Sequence, residues 1–435
     1  MPDERYLEPE AETLPRERLD ALQAEKVLDL ITYAYGKSAL YRELWDSNGV
    51  HPRDITSMAD FSKKLPFISK DVVRDFRDRT GDPFGGLLCV DPDDLHSVTA
   101  SSGTTGDATF FAEVWQGAPI APLPSSYLRP LWMMGMRPGD RAIMPPTTFR
   151  GQQDLQNSLL GLITIYVNAW FGNWSEVIEA IREHQPAYVP LLSPNFVELD
   201  HLSLKYDLRE VFAGVKAASF AGEPLGAAMR RKATEDWGLD LFVYASAGDT
   251  GTAWECDQHD GYHLWEDELF PEVVDPLGSD PVPDGGVGEL VSTSIDNPAS
   301  PLIRYRTDDL VRMSRETCGC GRTHARIWVL GRKGDETVVQ GRAILPGEIW
   351  AAVETQPETE TGLFQIIRPQ RELDELRLRV GFDASRTGNV GELGDRLRAA
   401  VFEAVGVEPV IDLEPEEALL ARGLSQGIVA IEVRR

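Results

Sequence analysis

The chain has 435 residues, 42% of them hydrophobic, with 43 Lys and Arg against 70 Asp and Glu for a net charge of -27. Such a length is more than one core usually supports, so two or more domains are expected, and the composition is that of a globular rather than a disordered protein. The acidic excess argues against nucleic acid or an anionic membrane as bulk partners, because both would repel it.

The opening stretch, MPDERYLEPEAETLPRERLD, is acidic and polar and does not read as a signal peptide. Next, apolar residues at helical spacing run through LDALQAEKVLDLITYAYGKSALYRELW, which predicts helices. MADFSKKLPFISKDVVRDF predicts a loop and then a helix with Ser69 as its N-cap. The middle of the chain alternates. DRAIMPP, GLITIYVN, AYVPLL, GVKAASFAG and LDLFVYASAG are short apolar runs bounded by turn residues, with helical patterns NWSEVIEAIREH and LGAAMRRKATEDWG among them. That alternation predicts an α/β domain with a largely parallel sheet, whose ligands sit at the carboxyl ends of strands.

After Pro271 the pattern turns to β-hairpins with acidic, glycine-rich turns. A last segment with two helical patterns, PGEIWAAVETQ and ELGDRLRAAVFEAVG, lies among strand candidates and predicts a small α+β domain joined near Gly331–Asp335. No apolar run is long enough to span a bilayer. Four cysteines, two of them in Cys318-Gly-Cys320, do not make a disulfide framework, and a cytoplasmic protein is the expectation.

The loop Ser101-Ser102-Gly103-Thr104-Thr105-Gly106 carries hydroxyls and two glycines that let backbone approach an anion. Taken alone it is either a phosphate loop or a plain Ser/Thr/Gly turn. It is not the loop of P-loop nucleotide folds, which ends in Gly-Lys-Ser/Thr. It resembles the phosphate loop of the adenylate-forming superfamily. The phenylacetate–CoA ligase family is the best match, because further segments follow in order: LYRELWDSNGV with LPFISKDVVRD, then FAGEPL, WECDQHDGYHLWEDELFPEVVD, LIRYRTDDL and CGCGRTHARIWVLGRKGD.

That resemblance implies a large N-terminal domain, 1–330, holding the acyl and nucleotide site, and a small mobile C-terminal domain, 331–435. It implies attack of a carboxylate on the α-phosphorus of ATP to give an acyl-adenylate and pyrophosphate, with Mg²⁺. A swing of the small domain and attack by the thiol of CoA would follow. Thr104 and Thr105 would act in the phosphate loop with Ser101, Ser102, Gly103 and Gly106. Gly222, Glu223 and Pro224 would contact adenine, Asp309 would hold both ribose hydroxyls, and Arg332 follows the hinge glycine. Tyr244 matches the aromatic of a Y-G-x-S-E motif, and Asp249, nearby but not an exact match, would substitute for that motif's metal-binding glutamate. A homodimer is expected by the same resemblance.

Three positions depart from the pattern. Asp107 stands where the loop has lysine, the YASAGDTG stretch is shorter and lacks the glutamate, and Ile428 follows Gly427 where the family places its catalytic lysine. No lysine occurs after Lys333, and Arg422 and Arg434 are imperfect substitutes. A preorganised cation at developing charge is worth ~3–4 kcal/mol, so impaired adenylation is expected. The alternatives are an enzyme that transfers, cyclises or hydrolyses a preformed thioester or acyl-adenylate without ATP, with a carrier-protein thiol as another acceptor, and a non-catalytic binding protein.

Cys256, His263, Cys318 and Cys320 form a C…H…C-x-C set suited to structural Zn²⁺, an arrangement also carried by relatives of the resembled family, with His259 and His324 as competing ligands. Cys89 reads as a core thiol. Glu266 and Asp267 are expected in a solvated turn, and Trp254 and Trp265 in the core.

Overall fold

The computed structural model describes residues 5–100, 109–114, 127–145, 152–169, 172–220, 225–369, 372–421 and 429–432. The chain folds into two compact units that alternate along the sequence. One is Met1–Met133 with Ser246–Val329, the other Met134–Ala245 with Leu330–Arg435.

The first unit begins with helices Arg16–Lys37, Ala39–Ser47, Met58–Lys64 and Lys70–Thr80. Leu19, Gln23, Val27, Leu30, Ile31 and Ala34 follow the three-to-four-residue helical spacing on the first helix, and all are buried. Ser69 caps the last of these helices as expected, its hydroxyl accepting from Val72 N, and Gly81 ends it at φ +76°. Hairpins follow Pro271's neighbourhood as the sequence implies. Strand Leu269–Val274 pairs antiparallel with Val287–Ser294, which pairs antiparallel with Tyr305–Ser314. Strand Arg326–Arg332 comes next, then Tyr262–His263 and Thr252–Glu255. Tyr41, Trp45, Phe61, Phe111 and Tyr305 pack with the helices' apolar faces in one core.

In the second unit five parallel strands lie in the order Ile163–Tyr166, Arg141–Met144, Tyr188–Leu191, Ala217–Phe220 and Leu241–Ser246. These are the five apolar runs of the middle sequence. Helix Trp174–His184 buries Trp174, Val177, Ile178 and Ile181 on one face. The C-terminal part adds strands in the order Pro409–Pro415, Leu376–Phe382, Phe364–Ile367 and Val429–Glu432. Helices Pro346–Val353 and Val390–Val405 cover them, and Ile349, Phe364, Leu378, Leu397 and Val401 fill the space between. Asn389 caps the second helix and Gly406, at φ +66°, stops it. The chain passes into the second unit for the last time between Val329 and Leu330.

Candidate active site and metal centre

The four metal-type ligands converge. Cys256 follows strand Thr252–Glu255, and a tight hairpin returns the chain so that Trp254 pairs with His263. Cys318 and Cys320 lie on the loop between strands Tyr305–Ser314 and Arg326–Arg332, closed by Gly321 N donating to Cys318 O. Cys256 Sγ is 3.7 Å from Cys318 Sγ, and Cys320 Sγ is 3.4 Å from His263 Nε2. The four ligand atoms lie within 4.8 Å of one another, and all four residues are buried. A tetrahedron built on Zn–S of about 2.3 Å has an S···S edge of about 3.8 Å, so the spacing fits that ion. It does not fit a disulfide, whose S–S bond is about 2.05 Å. The Cys256–Cys320 contact splits the two thiols, pushing Cys256 up and Cys320 down.

His263 Nδ1 lies 3.1 Å from His324 O, which fixes the tautomer that turns the Nε2 lone pair toward the thiols. His324 is engaged at both nitrogens: Nδ1 accepts from Glu266 N at 2.9 Å, and Nε2 donates to Ala11 O at 2.9 Å. His259 is half-buried with Nδ1 3.4 Å from Glu255 Oε2. Neither competing histidine belongs to the cluster.

The leading segment lies against this loop, which composition gave no reason to expect. Tyr6 Oη donates to Cys320 O at 2.6 Å, Thr323 Oγ1 to Leu14 O at 2.6 Å, and Arg322 Nε to Glu12 Oε2 at 2.8 Å. Glu12 and Arg322 are 0% and 1% exposed.

Among the residues expected at a nucleotide site, the loop Ser101, Ser102, Gly103, Thr104, Thr105 and Gly106, with Asp107, lies outside the described residues. So do Gly222, Glu223 and Pro224, and also Arg422, Gly427, Ile428 and Arg434. Asp249 is described, on the turn Gly248–Thr250, where Tyr305 Oη donates to its Oδ2 at 3.0 Å. Lys70 Nζ approaches the same oxygen at 3.3 Å. Local pairing puts it there: Ile68 N donates to Arg304 O and Arg306 N to Ile68 O, so the residues before the helix run alongside Tyr305. The sequence reading passed over Lys70. A signal was present, since a cation in the first turn of a helix opposes the helix dipole and needs a compensating anion.

Asp309 lies on the same strand, four residues beyond Tyr305, and is half-buried. Its N donates to Thr307 Oγ1 at 3.1 Å, and Asp308 before it adopts φ +64°. In the flanking sequence Arg304 pairs with Glu272 and Arg306 with Glu289, so both hold the strand in place. Tyr244 lies on strand Leu241–Ser246, where burial pushes its phenol up to about 12. Arg332 ends strand Arg326–Arg332, and beyond it Gly334 takes φ +90° and donates from N to Glu336 Oε2 at 2.8 Å.

Glu266 and Asp267 are not in a solvated turn. Glu266 is fully buried against Arg16 and Ala325 N, and Asp267 forms a two-pronged pair with Arg129. Trp254 and Trp265 are core residues, and burial pushes the Cys89 thiol up to about 12.

No family model matches the chain. It is 32% identical to a phenylacetate–coenzyme A ligase of Thermus thermophilus over 393 residues, 86% of this chain and 83% of that protein. A phenylacetate–coenzyme A ligase of Aromatoleum evansii is 28% identical over 405 residues, 91% of this chain and 88% of its own. Among solved structures, 2-hydroxyisobutyryl-CoA ligase with 2-HIB-AMP in the postadenylation state is similar at TM-score 0.84. It is 24% identical and covers 100% of this chain and 92% of its own. The same ligase with 2-HIB-AMP and CoA in the thioesterification state gives TM-score 0.68 at 25% identity over 99% and 93% of the two chains. The fold is that of the adenylate-forming CoA ligases. Among the described residues no helix is long and apolar enough to cross a membrane.

Proposed function

The chain belongs to the phenylacetate–coenzyme A ligase family, and from that premise we propose that it joins an aromatic or small carboxylic acid to CoA through an acyl-adenylate. A carboxylate oxygen bonds to the α-phosphorus of ATP as the bond to pyrophosphate breaks. The CoA sulfur then bonds to the acyl carbon as AMP leaves. The 1–330 and 331–435 division, with a swing near Gly331–Asp335, belongs to this reading, as do a cytoplasmic location and a homodimer.

The pair Lys70–Asp249 carries the proposal. The last segment offers no lysine, but Lys70 offers an ammonium beside the carboxylate assigned to Mg²⁺. An ammonium near developing phosphate charge is what the departures at Asp107 and Ile428 remove elsewhere. Mg²⁺ takes carboxylate and phosphate oxygens, and Asp249 is the residue present to hold it. Bound there, it would neutralise charge on the triphosphate. Asp309 would take the ribose hydroxyls, the loop 101–106 the phosphates, segment 222–224 the adenine. Tyr244 would serve as the aromatic of the Y-G-x-S-E motif. Cys256, His263, Cys318 and Cys320 would hold a closed structural Zn²⁺ with no open position for water.

The departures at Asp107 and Ile428 favour a second reading, turnover of a preformed thioester or acyl-adenylate without ATP. One experiment separates the two: pyrophosphate release from ATP across a panel of aromatic and short-chain acids, followed by thioester formation with CoA. Carboxylate-dependent release supports the ligase. Thioester turnover with no release supports the second reading, and ligand binding with neither leaves a scaffold.

A further inference from the structure

Four charged side chains close a ring inside the second unit. Lys232 Nζ lies 2.5 Å from Asp200 Oδ1 and 3.0 Å from Glu360 Oε2. Arg386 Nη2 donates to both oxygens of Asp200, at 3.2 and 2.9 Å, and its Nη1 to Glu360 Oε2 at 3.4 Å. Asp200 and Lys232 come from the parallel-sheet part and are buried; Glu360 and Arg386 come from the C-terminal part. Arg231 of the sheet part also reaches Glu360 Oε1 at 3.1 Å, and Asp383 Oδ2 of the C-terminal part lies 3.0 Å from Arg386 Nε, so each part brings charges of both signs.

That partition has a physical consequence. Separating a buried ion pair is ordinarily expensive because it strands a charge. Here Asp200 keeps Lys232 and Glu360 keeps Arg386 when the two parts come apart, so no ion is left alone. Opening the ring therefore costs less than stranding a single buried ion would.

A second contact lies close by. Glu354, at the end of helix Pro346–Val353, accepts from Ala228 N through Oε2 at 3.3 Å, and Trp350 Nε1 donates to its Oε1 at 2.9 Å. Gly226 is the residue this approach requires: a Cβ there would fall 1.4 Å from Glu354 Oε1 and 2.5 Å from Trp350 Nε1. Gly226 comes two residues after Pro224, the end of the segment assigned to adenine.

We propose that the Asp200–Lys232–Glu360–Arg386 ring, with Glu354 on Ala228 N, is a releasable latch that holds the C-terminal part in the adenylate-forming pose and opens for thioester formation. The inference rests on the ligase reading above. Its members are positioning residues, acting through the adenine segment and the pose of the C-terminal part.

The test compares the two half-reactions in Arg386→Gln and Glu354→Ala, each matched to the wild type in thermal unfolding. Acid-dependent pyrophosphate exchange falls on the order of tenfold, within the usual range of coupling between sites. Thioester formation from supplied acyl-adenylate and CoA stays level or quickens. Arg386→Lys, which keeps the charge, restores the exchange. Hydrogen exchange of the amides in 227–231 speeds up in both Arg386→Gln and Glu354→Ala. An equal fall in both half-reactions, or no change in either, overturns the latch. Should the wild type release no pyrophosphate, the ligase reading fails. Amide exchange then decides the latch by itself, and unaltered exchange in both variants overturns it.

Discussion

Lys70 Nζ lies 3.3 Å from the Asp249 carboxylate, and Tyr305 Oη donates to the same oxygen. If that ammonium serves adenylation, Lys70→Met lowers acid-dependent pyrophosphate exchange by roughly a hundred- to thousandfold. Thioester formation from supplied acyl-adenylate changes far less, and Lys70→Arg recovers part of the loss. Exchange kinetics on the three proteins check this; a wild-type rate in Lys70→Met assigns the lysine to structure alone.

Asp309 gives a prediction about nucleotide affinity. A carboxylate that accepts two ribose hydroxyls loses charge-assisted bonds when it becomes an amide, at about 1.5–3 kcal/mol for each. Asp309→Asn is expected to raise KM for ATP by at least roughly tenfold and to leave KM for the acid unchanged. Steady-state kinetics with each substrate varied in turn reads the difference.

The cysteine cluster predicts one zinc per chain in the purified protein by elemental analysis. Cys318→Ser and Cys320→Ser are expected to lose the metal and to unfold at lower temperature, because ligand-to-metal bonds contribute directly to folding. Prolonged chelation of the wild type should produce the same downward shift. A metal-free wild type of unchanged stability would remove zinc from the account.

His201 Nε2 lies 3.2 Å from Glu416 Oε2 in the second unit, where the hydrogen bond to Glu416 raises the imidazole above its ordinary value. Glu417 and Asp383 add to the rise, against partial burial. A raised folded value means the contribution is complete below the unfolded value of 6.5 and is lost as pH climbs through the higher folded value. Thermal unfolding between pH 6 and about 8 should show this falling limb, and His201→Gln should flatten it.

Much of the fold was legible because it is local. The five middle strands carry continuous apolar runs, Ser69 announces its helix, and Cys256, His263 and the Cys318–Cys320 pair share one ligand chemistry. What was missed is long-range. Lys70 comes to lie beside Asp249 through Ile68 pairing with Arg304 and Arg306, and nothing within either segment specifies that partner. Glu266 and Asp267 looked solvated because their cations, Arg16 and Arg129, come from distant helices. The association of 134–245 with 330–435 likewise depends on contacts such as Arg386 with Asp200, which no local pattern encodes.

The pairing of Glu12 with Arg322 bears on anyone trimming the protein. Removing the first dozen residues would abandon a buried guanidinium beside Cys320, a penalty of about 3–5 kcal/mol for an orphaned ion. It would also withdraw the phenol of Tyr6 from the backbone of Cys320. An N-terminal deletion designed only to tidy an unremarkable acidic leader would thus loosen the loop that presents two of the four ligands, and the damage would register as lost metal.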